Sequence, residues 1–421
     1  MTNPVCQIVG FGPGCTSFLI AADRQGILPE LLGRGLLIHE REGSAEALLP
    51  IGVNYDIPSN SDAADFLDGI APDGLFGPLL DGPAARMIRM AGGRAISLQL
   101  VALLVEETRR LALEAIRRHP NSRVAYGSPV TRIGRTAGGW RLHDAQGRGV
   151  ESPLAVLAAG SAPHLPDGLR RAAAGAGVPL VHSDAVLRPC DVTALLPAGA
   201  RSIAVVGASH SAFSVLHKLL ELYAGGDLRL TLLHTQPIRR MHRGAALARA
   251  AGERFDPATD QCPASGRIFR FQGLYTRSRL LYEQILAGQH PAIALRACDD
   301  EAAVADALRG ADAVIAATGY RPNLPPLTDV RDRPLAAGRN GSAVQVGRDG
   351  QLRAADGGTL PGLLGIGLGF GRDGSGIGEP SYRGAPVGIN IFQGPDGDAL
   401  CARALSALQH AAGACLEKEY L

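Results

Sequence analysis

Residues 5–14 read Val5-Cys6-Gln7-Ile8-Val9-Gly10-Phe11-Gly12-Pro13-Gly14, a short apolar run that stops at a tight turn of small residues. The stretch that follows, from about Cys15 to Arg24, places Phe18, Ala21 and Ala22 at i, i+3 and i+4, one face of a helix. Strand, glycine turn and helix together form the grammar of a dinucleotide phosphate site. Glycine serves it in two ways: the chain must take angles closed to a residue with a Cβ, and the pyrophosphate must come close to the backbone. The helix then aims its free N–H groups and the positive end of its dipole at the anion. Gly10 and Gly12 fill the first two positions of G-x-G-x-x-G, and Cys15 holds the third with Gly14 beside it.

The same grammar returns once. Ser202 to Val206 is a strand, Gly207-Ala208-Ser209-His210-Ser211-Ala212 a degenerate form of the turn, and a helix runs on through Leu220. Ser209 and Ser211 suit either a helix cap or a phosphate. The chain between and after the two turns is rich in strand signals. Leu36 to Glu40 reads as the second strand of the first unit, and Leu98 to Arg118 as a long helix. Arg123–Tyr126, Val130–Ile133 and Gly139–Leu142 read as antiparallel strands, while Leu154 to Gly160 reads as a buried parallel one. Leu228–His234 and Asp312–Ala317 are further strands, and a last helix spans roughly Asp398 to Lys418. The expected class is α/β, with two Rossmann-like dinucleotide-binding domains, the second inserted in the first. Residues 1–165 plus 326–421 would form one dinucleotide-binding domain, and residues 166–325 the inserted second.

Each turn needs a partner for its nucleotide. An acid at the end of the next strand bonds ribose hydroxyls; Glu40 stands there, 30 residues after Gly10, with Glu42 as the fallback. The strand after the second turn ends at His234 without an acid, and Arg239-Arg240 follow, with Arg243 close behind. An acid would repel a 2′-phosphate, whereas arginine holds one by paired charged hydrogen bonds, so this site suits NADPH over NADH. A solvated arginine face is the alternative.

Composition narrows the remaining classes. Charge is balanced, 42 basic against 40 acidic residues, so no field selects nucleic acid or acidic lipid. Only Lys218 and Lys418 are lysines, so chemistry that needs a lysine amine has two candidates. No run of about 18 apolar residues implies a membrane span, and the start lacks a secretory signal, so a cytoplasmic enzyme is expected. Seven scattered cysteines without a C-x-x-C pair argue against a disulfide framework, a dithiol relay and a metal site. The expected partner is a small-molecule substrate; the sequence leaves a homo-oligomer open.

Gly10-Phe11-Gly12-Pro13, Ser211-Ala212 and Ala317-Thr318-Gly319-Tyr320 together resemble the N-hydroxylating (class B) flavin monooxygenases, such as the ornithine and lysine N-hydroxylases. The resemblance implies FAD at the first turn, NADPH at the second, and Thr318 and Gly319 where the two domains meet. It places Tyr55 to Ser61 along the flavin, with Asn60 a candidate ring contact or a plain Asn-Ser turn. His210, where the family often has glutamine, would seat the nicotinamide or be a helix-start histidine without a role. Thr359 to Gly367 resembles the second FAD segment of glutathione-reductase-like enzymes, which implicates Gly367, and glycines continue to Glu379-Pro380-Ser381-Tyr382. The chain departs from the family in three places: no Trp-His pair follows the ribose acid, Arg94-Ala95-Ile96-Ser97 replaces an Arg-x-Glu-aromatic segment, and no lysine lies between the turns. These gaps argue against an ornithine- or lysine-like substrate. The implied reaction is hydroxylation of an amine or related nucleophile; an NADPH-dependent dehydrogenase and a non-catalytic nucleotide-binding protein are the alternatives.

Overall fold

The computed structural model describes residues 3–47, 55, 57–188, 191–223, 227–262, 265–270, 273–340, 343–347, 349–372 and 395–419. The Cys6–Val9 run is the centre of a parallel array. It pairs with Leu36–His39 on one side and Leu154–Leu157 on the other, Cys6 lying opposite Leu36 and Leu154. Arg123–Ala125 extends the array beyond Leu36–His39, and Thr359–Gly365 extends it beyond Leu154–Leu157. All four residues of each of the three central strands are buried, which is why those runs are apolar without alternation. Antiparallel strands Gln351–Arg353, Ala343–Val346 and Arg339–Asn340 continue the outer edge.

Helices Pro13–Arg24, Leu98–Arg117 and Pro395–Glu419 pack with this sheet around one core that includes Ile8, Phe18, Leu104, Leu364 and Leu400. Phe18, Ala21 and Ala22 are fully buried, as their spacing requires. Burying a side chain such as Phe18 contributes about 1.5–3 kcal/mol. Ser97 starts the long helix by accepting the Gln99 N–H at 3.1 Å.

A second parallel sheet runs Leu180–His182, Ala313–Ala316, Ser202–Val206, Arg229–His234, Ile293–Ala297. Its strands alternate cleanly: Ile203, Val205 and Ile315 enter a core with Phe213 and Leu216 of the His210–Leu222 helix, while Ala204, Val314 and Ala316 enter one on the opposite face. Two short crossings, Ser161–Pro163 and Tyr320–Pro322, pair antiparallel.

One expectation needs correction. Arg123–Ala125 is not part of the antiparallel group; it joins the parallel sheet. The hairpin is made by Val130–Thr136, Gly139–Asp144 and Gly149–Ser152, with Trp140 fully buried and its indole donating to Pro361 O at 2.8 Å. Gly127 at φ +60 and the following Ser128-Pro129 turn the chain between the two sets. No helix among the described residues is long and apolar enough to cross a membrane.

Candidate active site

Both glycine turns sit at the C-terminal end of a central parallel strand, and both are held by the same contact. Gly10 has φ +90, and a Cβ there would lie 2.6 Å from Ala158 O, the carbonyl just past the neighbouring strand. Gly207 has φ +149, and its Cβ would lie 2.6 Å from Ala317 O, again just past the neighbouring strand. Any side chain at either position collides with backbone, so only glycine closes the turn. At Gly12, by contrast, no described atom lies within 4 Å of a built Cβ. Gly12 is the N-cap of the Pro13–Arg24 helix, whose first turn carries no acid and receives no side-chain cap from the described residues. The helix end therefore offers unpaired N–H groups toward open space, the arrangement a pyrophosphate needs.

Around this turn the structure gathers Glu40, Gly14, Cys15 and the neighbour of Gly367. The buried Glu40 carboxylate accepts Phe11 N–H at 2.8 Å with Oε2 and Glu42 N–H at 3.0 Å with Oε1. Each oxygen retains a further lone pair for a ribose hydroxyl. Gly14 lets the helix approach the sheet: its Cβ position is 3.3 Å from Ala158 Cβ and 3.4 Å from Ile366 O. Gly367, next along, has φ +101 and open space at its Cβ position. Cys15 points into the core, and burial pushes its thiol well above the ordinary range. Beneath Glu40, His39 bonds Gln7 Oε1 at 2.9 Å, and burial lowers its imidazole to about 4.

The second turn is built alike but carries a histidine. Ser209 is the N-cap of the His210–Leu222 helix, and no described side-chain bond makes it a cap, which leaves its hydroxyl for a ligand. Ser211 follows His210 in the first turn of that helix. His210 Nε2 faces both Gly273 O at 3.3 Å and the Tyr275 N–H at 3.2 Å. Its Nδ1 is buried without a hydrogen-bond partner among the described residues, and burial lowers the ring to about 4. Across from it, Thr318 Oγ1 donates to His164 O, and Gly319, at φ +83, accepts His164 N–H through its carbonyl at 3.0 Å.

Arg239 and Arg240 are not bare surface charges. Arg239 pairs with Asp260 at 3.3 Å and lies over the Phe269 ring, 4.5 Å from its centroid; Arg240 pairs with Glu253 at 2.5 Å. Arg243 donates to Gly93 O at 2.9 Å. Asn60 lies on the Pro58–Asp62 strand, but its side chain is outside the described residues, as are residues 373–394 of the glycine-dense loop.

Sequence reading missed three groups. Tyr126 Oη, on the segment after Arg123–Ala125, is buried without a described partner in the field of Glu40 and Arg109. Asp62 accepts the Tyr275 phenol at 2.6 Å and pairs with Arg267. Asp184 accepts the phenols of Tyr55 and Tyr320, the latter at 3.0 Å, and pairs with Arg188 at 2.8 Å. Local signal for them was limited to the Tyr55–Ser61 segment and the aromatic end of the Ala-Thr-Gly-Tyr stretch, neither of which pointed to the carboxylate partners.

No family model matches the chain. It is 33% identical to a CMP-5′-(3-aminopropyl)phosphonate hydroxylase of Streptomyces rubellomurinus over 453 aligned positions, covering 97% of this chain and 98% of that one. Among solved structures it resembles the ornithine N-hydroxylase of a Kutzneria species, in a complex with reduced FAD, NADP⁺ and L-ornithine (17% identity, 97% and 99% of the two chains, TM-score 0.53). It also resembles a flavin-containing monooxygenase of Stenotrophomonas maltophilia (16%, 99% and 100%, TM-score 0.56). With two glycine turns of matching geometry and a relative aligned end to end, the chain belongs to the family of that hydroxylase and has the fold of the N-hydroxylating flavin monooxygenases.

Proposed function

We propose that the enzyme hydroxylates the amine nitrogen of a small molecule carried on a nucleotide, using FAD at the Gly10 turn and NADPH at the Gly207 turn. The observation that carries the substrate class is the relative aligned over 97% of the chain, whose name specifies an aminopropyl phosphonate linked to CMP. The sequence agrees in what it lacks: the residues expected for free ornithine or lysine are replaced.

Two dinucleotide domains, residues 1–165 plus 326–421 for FAD and 166–325 inserted for NADP(H), account for the two parallel sheets and the paired crossings between them. Gly10, Gly12, Gly14, Cys15, Glu40 and Gly367 belong to the FAD site on this reading. Gly207, Ser209, Ser211, Thr318 and Gly319 belong to the NADPH site, and Arg239 and Arg240 give it its preference for the 2′-phosphate. His210 seats the nicotinamide end, and Asn60 lies beside the flavin.

Bound FAD supplies hydride acceptance from NADPH and the activation of dioxygen; the chain's share is to hold, orient and keep water out. The test supplies the purified, FAD-loaded enzyme with NADPH and oxygen. A CMP-linked aminoalkyl phosphonate should gain one oxygen atom on nitrogen, while the free aminoalkyl phosphonate, ornithine and lysine should react far more slowly. Equal turnover of the free amine would sink the nucleotide-carrier reading.

A further inference from the structure

The segment that follows Glu40 is fastened differently on its two sides. Toward the first sheet it is held by backbone: Pro58–Asp62 pairs antiparallel with Ala95–Ser97, and the Leu98 N–H donates to Ile57 O at 3.1 Å. Toward the second sheet it is held by side chains at both ends. At one end the Tyr55 phenol donates to Asp184, which also accepts Tyr320 Oη at 3.0 Å and is paired with Arg188. At the other, Asp62 accepts the Tyr275 phenol at 2.6 Å and pairs with Arg267. Ile57, between them, packs into the core that contains Phe213 and Leu216.

The two fastenings mirror each other. In one the strap gives a phenol and takes a carboxylate; in the other it gives the carboxylate and takes a phenol. Asp62 and Asp184 are both buried, so each bond acts where water competes little. Burial raises the phenols of Tyr55 and Tyr275, which keeps both protonated as donors at neutral pH. Each fastening also touches a residue of the second turn region. Tyr275 gives its backbone N–H to His210 at 3.2 Å, and Tyr320 follows Gly319 directly. The strap thus joins the helix beginning at Leu98 to the two structures that frame Gly207.

We propose that the Tyr55–Asp184 and Tyr275–Asp62 bonds are paired pins that set the spacing between the two cofactors, making Tyr55 and Tyr275 positioning residues for flavin reduction and for coupling it to hydroxylation. The proposal rests on the assignment of FAD to the Gly10 turn and NADPH to the Gly207 turn. A phenol-to-phenyl change removes one donor while leaving each carboxylate a second partner, Tyr320 and Arg188 for Asp184 and Arg267 for Asp62. Such variants keep the buried charges paired and are expected to fold.

The experiment uses the full-length, FAD-loaded enzyme and the variants Tyr55→Phe, Tyr275→Phe and the double variant. Four quantities are read: FAD per chain, the dissociation constant of NADP⁺, the rate of flavin bleaching at saturating NADPH without oxygen, and visible circular dichroism of the flavin. FAD content and NADP⁺ affinity should hold at the parent level while the bleaching rate falls about tenfold in each single variant, because small misplacements cost rate rather than binding. The flavin dichroism should change with the rate, and product formed per NADPH consumed should drop. A double variant that bleaches at the parent rate overturns the proposal. So does a variant that loses FAD or NADP⁺ in proportion to its lost rate, since the strap would then hold a cofactor rather than space two. A failure of the underlying assignment looks different: Gly12→Glu would keep its full FAD content whatever the pins do.

Discussion

Glu40 and Phe11 lie 29 residues apart, and the carboxylate of the first accepts the backbone N–H of the second at 2.8 Å. Phe11 stands between the two turn glycines, so the expected ribose acid also braces the turn proposed to receive the pyrophosphate. Glu40→Ala removes a charged acceptor worth about 1.5–3 kcal/mol, equivalent to roughly 10- to 100-fold in FAD affinity. Titration of the apo-protein with FAD measures it. Unchanged affinity would show that Glu40 serves neither the ribose nor the turn.

The matched glycines predict separable losses. Gly10→Ala places a methyl 2.6 Å from Ala158 O, and Gly207→Ala places one 2.6 Å from Ala317 O. The first variant should be purified with little FAD. The second should retain its flavin and bind NADP⁺ far more weakly. Bound flavin by absorbance and NADP⁺ by calorimetry distinguish the two, and a reversed pattern would exchange the cofactor assignments.

Arg239→Ala and Arg240→Ala should raise KM for NADPH more than for NADH. Both arginines are also in ion pairs, and Arg240 leaves Glu253 without its 2.5 Å partner when removed. Arg240→Ala should therefore lower the melting temperature as well. If the two coenzymes suffer alike, the arginines act only through the local fold.

His39 makes stability depend on pH with a definite sign. Burial holds its folded-state value at about 4 against an ordinary 6.5, so between these values the unfolded chain takes up a proton that the folded chain refuses. Stability is present above pH 6.5 and is lost as pH falls toward 4, by up to about 3 kcal/mol. Urea unfolding at pH 7 and pH 5 should show a smaller difference for His39→Gln than for the parent. An identical pH slope in the two proteins would count against this.

Thiol chemistry should be absent from turnover. Cys15 is fully buried with its thiol pushed well up by burial, and the Cys401 thiol is raised to about 12 for the same reason. At neutral pH both should react with a maleimide only in denaturant, and Cys15→Ser should still be reduced by NADPH.

The two turns were legible because their requirements are local. A glycine with positive φ pressed on a carbonyl leaves its mark on a few consecutive residues, and the buried strands beside it are apolar throughout. Strand direction was less legible: Arg123–Ala125 has a run as short as its neighbours', and whether it pairs parallel or antiparallel is decided by where Gly127 and Pro129 send the chain. The side-chain partners were not legible at all. Asp62 and Tyr275 are 213 residues apart, Tyr55 and Asp184 are 129 apart, and neither pair has a spacing that periodicity reads. Arg239 and Arg240 were read as phosphate ligands or a solvated face, and their ion pairs stayed hidden for the same reason, since Asp260 and Glu253 approach only after the intervening chain folds back.

The chain between residues 164 and 319 leaves and returns through neighbouring strands, with Pro163 opposite Tyr320 and Ser161 opposite Pro322. Its two ends are thus one strand spacing apart, about 5 Å. A foreign unit whose own termini lie that close fits the same doorway without stretching the half built on the first sheet. The geometry makes the stretch between the two crossings modular: its packing can be rebuilt or exchanged while the strands on the far side of the doorway keep their register.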